Sequence, residues 1–218
     1  MYFENRKSAG EKLAAELLEK YRYEDCAVVA LNDGGVLVGE PIAAELHCVL
    51  TMILSEDIEV PGEGLLLGGV SQNGNFVQNS FMTSGEFDGY QSEFFGLFEQ
   101  QKRESFQKIN RLLGDGGTVD LDLLRDRVII LVSDGFTDRT SIDVAIDFLK
   151  PVRYKKLVVA TPVASVAAVD RLHITADEMH ILDVKANFLD TNHYYEDNKI
   201  PTHEESVKKI NEIILNWR

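Results

Sequence analysis

The sequence predicts an α/β fold built around a parallel sheet. Residues 26–31 (CAVVAL) and 128–132 (VIILV) are short, unbroken apolar runs. Such runs suit strands covered on both faces, as in parallel sheets. Stretches with helical spacing of apolar residues lie between the apolar runs. The two kinds of segment alternate along 218 residues at the spacing of strand–helix–strand units.

Residues 7–21 read as the first helix, with Ala9, Leu13, Leu17 and Leu18 at helical spacing among charged residues. The 26–31 strand ends in Asn32-Asp33-Gly34-Gly35, a loop whose glycines permit positive φ. A second helix follows through Ala43, Ala44 and Leu46. Residues 49–54 form another strand. Residues 65–70 and 75–81 read as a hairpin around Gln72-Asn73-Gly74. One long polar helix is expected over 88–113, with Phe94, Leu97, Phe98, Phe106, Ile109 and Leu112 as its stripe and the Gly-rich 114–117 as its stop. The strand at 128–132 is the strongest. It is followed by a polar turn, a helix carrying Ile142, Ala145, Ile146 and Leu149, a strand at 157–160, a helix at 163–172 and a strand at 178–184. Thr202 and Glu205 have capping-box spacing at the start of the last helix, with Val207, Ile210, Ile213 and Ile214 along one face. A single domain over 1–218 is expected, with an insertion over about 55–118.

The formal net charge is −14, from 22 Lys and Arg against 36 Asp and Glu. That balance argues against nucleic acid and anionic membranes, which bind through clustered basic residues. No run approaches the ~20 apolar residues of a membrane span. The polar N-terminus lacks an apolar signal core, and a soluble, cytoplasmic protein is expected. The two cysteines, Cys26 and Cys48, sit in apolar surroundings and read as buried, reduced thiols. The five histidines are scattered without metal-ligand spacing, so no metal site is read from them. No Gly-x-Gly-x-x-Gly follows any strand, which argues against a dinucleotide-binding domain.

Open parallel sheets bind ligands beyond the C-terminal ends of their strands. The candidate there is Ser133-Asp134-Gly135-Phe136-Thr137-Asp138-Arg139-Thr140-Ser141, between the 128–132 strand and a helix. A helix start offers unpaired N–H groups and partial positive charge, which suit phosphate. Thr137, Thr140 and Ser141 divide between anion contacts and helix capping.

This loop resembles the phosphoribosyl-pyrophosphate motif of type I phosphoribosyltransferases. The motif has two acidic residues, a small turn with Gly, then Thr-Gly-any-Thr. Asp134 and Gly135 match it. Ser133 replaces the first acid, and Asp138 and Arg139 stand where Thr and Gly are usual. The resemblance covers nearly the whole chain, and is closest to a branch of predicted phosphoribosyltransferases. Phe3, Arg6, Ala9 and Gly10 fit that branch's start. Leu31, Gly34, Gly35, Val36 and Val38 fit its first-strand motif, with Asn32 and Asp33 in place of Pro and Arg. Val60-Pro61-Gly62, Gly68-Gly69-Val70 and Tyr194-Tyr195-Glu196-Asp197 continue the pattern.

The resemblance implies a parallel-sheet, Rossmann-like core with a small hood over about 186–201. It implies that Asp134 holds ribose hydroxyls as the catalytic acidic residue and that the 133–141 turn cradles a 5′-phosphate. Asn32-Asp33-Gly34-Gly35 then corresponds to the pyrophosphate loop. Arg139 either reaches the phosphate or points to solvent, and solvent is the favoured reading. Phe188, Tyr194 and Tyr195 either stack on a base or pack the hood itself. Mg²⁺ is the implied cofactor if the protein is catalytic, and a phosphorylated ribose or nucleotide is the implied small-molecule ligand. A homodimer is compatible with the family, with the 88–113 helix as its contact.

The departures point away from transfer chemistry. Asp33 replaces a basic residue, Ser55-Glu56-Asp57 follows the next strand, and no Lys or Arg occurs from residue 23 to residue 101. A carboxylate ~6 Å from a phosphate charge costs about 3 kcal/mol at an effective dielectric of ~20. Glu56, Asp57 and Glu59 either join Asp33 around a cation or, as the favoured reading, form a solvated acidic edge. The alternative to an active enzyme is a noncatalytic nucleotide-binding or protein-interaction module on the same fold.

Overall fold

The computed structural model describes residues 2–60, 62–114, 119–137 and 140–217. The chain divides into two compact units. The first comprises residues 1–52, 119–137 and 152–218, and the second residues 53–118 and 138–151.

The first unit holds a five-stranded parallel sheet in the order β2-β1-β6-β7-β8. Its strands are β1 (Cys26–Ala30), β2 (Val49–Met52), β6 (Val128–Val132), β7 (Lys156–Ser165) and β8 (Glu178–Lys185). Every residue of β1 and β6 is buried, as their unbroken apolar runs require. They pair in register from Cys26 with Val128 to Ala30 with Val132. Both therefore end together, and their following turns, at Asn32 and Ser133, emerge side by side.

Helices α1 (Arg6–Tyr21) and α2 (Asp33–Glu45) pack against each other and against this sheet. A Cβ at Gly10 would overlap the Val38 carbonyl oxygen, so glycine is what lets the two helices approach. α6 (Val166–Thr175) and α7 (His203–Asn211) complete the unit. The expected capping box is present: Thr202 accepts from the Glu205 N–H, and Glu205 accepts from the Thr202 N–H. Of the face expected on this helix, Ile213 is buried and Ile214 is exposed. Both cysteines are free and buried, and burial pushes their thiols up, Cys26 to about 11 and Cys48 to about 12. Among the described residues no helix is long and apolar enough to cross a membrane.

The second unit holds an antiparallel sheet of β3 (Ser55–Val60), β4 (Leu65–Ser71) and β5 (Phe76–Gln78). It also holds α3 (Ser84–Glu93), α4 (Phe95–Leu113) and α5 (Ser141–Leu149). Its core gathers Ile58, Val60, Leu67, Val70, Phe87, Phe98 and Ile109. Full burial of side chains of this size stabilises by roughly 1.5–3 kcal/mol each.

Four expectations change. The helix expected over 88–113 is two helices broken at Phe94. Phe87 and Phe98 are 11 residues apart, so an unbroken helix would separate them by about 16 Å along its axis. The break brings their rings to 6.0 Å, and both rings also pack on Phe76. Glu56, Asp57 and Glu59, expected as a solvated acidic edge, lie on strand β3, whose Ile58 and Val60 are buried in this core. The strand at 157–160 runs on to Ser165, displacing the helix expected at 163. Ser165 is the helix cap and accepts from the Ala168 N–H at 3.1 Å. Lastly, Asp33, Gly34 and Gly35 form the first turn of α2 rather than a loop, and neither glycine has positive φ. Pro61 and the stop at 115–117 lie outside the described residues.

Candidate functional site

In the first unit the turns after β1 and β6 meet at Asn32 and Asp134. Asn32 caps α2: its Oδ1 accepts from the Gly35 N–H at 2.5 Å. Its Nδ2 donates to Asp134 Oδ1 at 2.9 Å and lies 3.3 Å from Ser133 Oγ. One carboxamide thus fastens a helix start to the neighbouring strand's turn.

Asp134 is buried, and Arg6 Nε donates to its Oδ2 at 2.6 Å. Arg6 is 1% exposed, and its Nη2 donates to Asn192 Oδ1 at 2.6 Å. The guanidinium lies 4.5 Å from the centre of the Tyr195 ring, and the Tyr195 hydroxyl donates to the Asp134 carbonyl at 2.5 Å. Burial, with the Asp134 carboxylate adding to it, holds the Tyr195 phenol far above its ordinary range against the opposing pull of Arg6. Gly34 is required by this packing. A Cβ there would overlap Asp134 Oδ2 and come within 3.0 Å of Arg6 Nε.

The rest of the first-unit turn is bonded to its own surroundings. Ser133 Oγ donates to the Gly135 carbonyl at 3.0 Å and accepts from the Gly135 N–H at 3.3 Å. A Cβ at Gly135 would stand 2.8 Å from Thr191 Oγ1. Phe136 is 1% exposed and extends the sheet: its N–H donates to the Val163 carbonyl and its carbonyl accepts from the Ser165 N–H. Its side chain is therefore core, and its N–H is already engaged. Thr137 is half-buried, and Asp138 and Arg139 lie outside the described residues.

In the hood segment, Tyr194 is buried, packs on Phe188 at 5.0 Å between ring centroids, and accepts from the Leu189 N–H. Tyr194 and Tyr195 are both committed to packing and hydrogen bonds within the first unit. Asp33 lies in the first turn of α2, with His203 Nδ1 3.4 Å from its carboxylate.

In the second unit, Thr140 is the N-cap of α5 but makes no side-chain cap hydrogen bond. It is fully buried, and its hydroxyl donates to the Asp57 carboxylate. Gly69 makes room for it, since a Cβ there would lie 2.5 Å from Thr140 Oγ1. Ser141 opens α5, and Asp143 in its first turn accepts from Ser80 Oγ at 2.8 Å. Glu56 pairs with Lys108 at 2.8 Å. Among the described residues, no three His, Cys, Asp or Glu side chains converge to hold a metal.

Arg6 carries the contact that the sequence reading did not place in the site. The signal was present: Arg6 falls on the stripe of α1 formed by Ala9, Leu13 and Leu17, where a charged residue needs a buried partner.

Comparison with known proteins agrees with this architecture. The sequence model described as the phosphoribosyl transferase domain matches residues 2–196. The chain is similar to the crystal structure of TT1426 from Thermus thermophilus, with a TM-score of 0.71 and 25% identity over 100% of this chain and 99% of that one. It is also similar to a hypoxanthine phosphoribosyltransferase from Staphylococcus aureus, with a TM-score of 0.48 and 10% identity over 85% and 76% of the two chains. A purine phosphoribosyltransferase from Pyrococcus horikoshii gives a TM-score of 0.47 and 11% identity over 92% and 96%.

Proposed function

We propose a function from one premise: the chain belongs to the phosphoribosyl transferase domain family. It binds a phosphorylated ribose or nucleotide at the 133–141 segment and does not carry out transfer from a pyrophosphate donor. The observation that carries this reading is the commitment of Asp134, whose carboxylate already holds Arg6 at 2.6 Å and Asn32 at 2.9 Å.

The start of α2 supports the same reading. Its own Asn32 side chain takes up the Gly35 N–H, and Asp33 adds a negative charge where the family resemblance places pyrophosphate. Transfer needs stabilisation of the leaving pyrophosphate, a task that falls to preorganised donors and cations. No Lys or Arg between residues 23 and 101 is available to supply them. The Mg²⁺ that accompanies such a donor finds a poor fit in this donor set, because Asp134 is already neutralised by Arg6.

A second reading, a protein-interaction module without a small ligand, is favoured by the turn's engaged N–H groups at Gly135 and Phe136. Calorimetric titration separates the readings. Phosphoribosyl pyrophosphate with Mg²⁺, ribose 5-phosphate and AMP are each added to the wild-type protein. The two monophosphates are expected to bind, with the pyrophosphate donor binding no more tightly. Tight donor binding with pyrophosphate release in the presence of a nucleobase would sink the proposal. Silence from all three ligands would favour the interaction module.

A further inference from the structure

The two cysteines of the chain are neighbours across the margin of the parallel sheet. β1 and β2 pair with Ala27 opposite Val49, Val28 opposite Leu50 and Ala30 opposite Met52. The same register, carried back one residue, sets Cys26 opposite Cys48. Successive side chains of a strand alternate between faces. Cys48, Leu50 and Met52 are buried and Val49 and Thr51 half-buried, so the alternation of β2 already includes Cys48. A Cβ at Gly39 of α2 would stand 3.0 Å from Leu50 Cδ1 and 3.1 Å from Val28 Cγ1, so both side chains point to the α2 face. Two residues back along each strand, Cys26 and Cys48 point to that face as well. Paired strands lie about 4.8 Å apart, within the roughly 4.4–6.8 Å between Cα atoms that a disulfide spans. Burial raises the Cys48 thiol, and the nearby Cys26 raises it further.

Neither thiol takes part in the candidate site. Both are free, and β2 is the edge strand of its sheet. Cys48 is the less deeply buried of the two, and Trp217 Nε1 donates to its carbonyl at 3.3 Å. We propose that Cys26 and Cys48 form a reversible redox site, closing to an intramolecular disulfide by exchange with a low-molecular-weight disulfide. The Cys48 thiol gives up its proton to solvent, and its thiolate attacks one sulfur of the small disulfide. That S–S bond breaks and one small thiolate leaves. The Cys26 thiolate, formed likewise, attacks the Cys48 sulfur of the mixed disulfide. The Cys26–Cys48 bond forms, the mixed bond breaks, and a second small thiolate leaves. The two released thiolates take up the two protons, so the cysteines are oxidised and the small disulfide is reduced to two thiols. The closed bond ties the edge strand to β1 and rings the chain around α2, which lies between the two cysteines in sequence. Burial keeps both thiolates scarce near neutral pH, so the pair closes slowly there.

The test incubates the folded wild-type chain with excess hydroxyethyl disulfide, a small neutral reagent, at pH ~8.5, near the pKa of a free thiol. Remaining thiols are then alkylated under denaturing conditions and the intact mass is read. The expected product is a monomer lighter by two hydrogen atoms, with no alkylated cysteine, whose proteolytic map joins the segments holding Cys26 and Cys48. Dithiothreitol should return both thiols. In Cys26→Ser the reaction should stop at one hydroxyethylthio group on Cys48. In the wild type, a hydroxyethylthio group retained on either cysteine, a disulfide-linked dimer, or two thiols still open to alkylation overturns the inference. A pair that closes only when urea unfolds the chain overturns it too, since the strand register then plays no part. Should Cys26→Ser fail to fold, the wild-type products alone decide.

Discussion

Two helices that follow strands of the parallel sheet in chain order, α2 after β1 and α5 after β6, begin in opposite ways. The start of α2 is spent on itself. Asn32 caps it, Asp33 adds a carboxylate to its first turn, and Gly34 is pressed against the Arg6–Asp134 pair. At the start of α5 the Thr140 side chain makes no cap hydrogen bond, and its hydroxyl donates to Asp57 instead. A helix start attracts an anion only while its N–H groups and partial positive charge are unused. Both first turns carry a carboxylate, Asp33 in α2 and Asp143 in α5, so the two starts differ in what the N-cap side chain does and not in the charge beside it.

The sharpest way to break this contrast is at Gly34. In Gly34→Ala the new Cβ would overlap Asp134 Oδ2 and crowd Arg6 Nε. Disrupting a buried ion pair costs about 3–5 kcal/mol. Urea denaturation of the variant should show a loss of that order, with the wild-type slope retained. A loss below about 0.5 kcal/mol, the level of an ordinary surface substitution, would mean that Arg6 and Asp134 are not packed against α2 as described.

Thr140 probes the other helix start with a smaller effect. Thr140→Val keeps the shape and deletes the hydroxyl that serves Asp57, which should cost about 1–2 kcal/mol. Because Thr140 makes no cap hydrogen bond, Thr140→Ser should restore most of the loss by restoring the hydroxyl alone. Equal loss in both variants would mean that the methyl group, which Val keeps and Ser lacks, contributes as much as the hydroxyl.

The contrast between the helix starts was only half legible in the sequence. The parallel sheet was, because β1 and β6 are apolar at every position and admit little else. The Thr202–Glu205 cap was, because its signal is local. What escaped was non-local. Asp57 read as a solvated acid because nothing near it in sequence shows that Thr140, 83 residues away, donates to it. Arg6 stood in a recognised block, yet its partner Asp134 is 128 residues distant. The glycines at 34 and 35 invited a loop with positive φ, whereas their role is to admit neighbouring atoms inside a helix. The break at Phe94 lacks a proline and follows from the meeting of Phe87 and Phe98 around Phe76.

The smallest effect comes from the opposite ends of β7 and β8, where an acid is answered by bases. Burial alone would raise the Glu178 carboxyl. Hydrogen bonds from Lys156, Lys20, Tyr21 and His180 outweigh it and hold the group well below the usual carboxylate range. The Lys156 contact is 2.5 Å and the His180 contact 2.9 Å. A carboxyl depressed in the folded state contributes stability that is present above its unfolded pKa, about 4.3. That contribution is lost as the pH falls from there through the folded value. Thermal unfolding followed from pH 7 down to pH ~3 should therefore fall less steeply for Glu178→Gln than for the wild type below pH ~4.3. At neutral pH the variant should be modestly less stable, by no more than about 1 kcal/mol, since the Lys20 partner is half exposed and screened by solvent. Parallel curves would show that this network, unlike the buried Arg6–Asp134 pair, contributes nothing measurable to the fold.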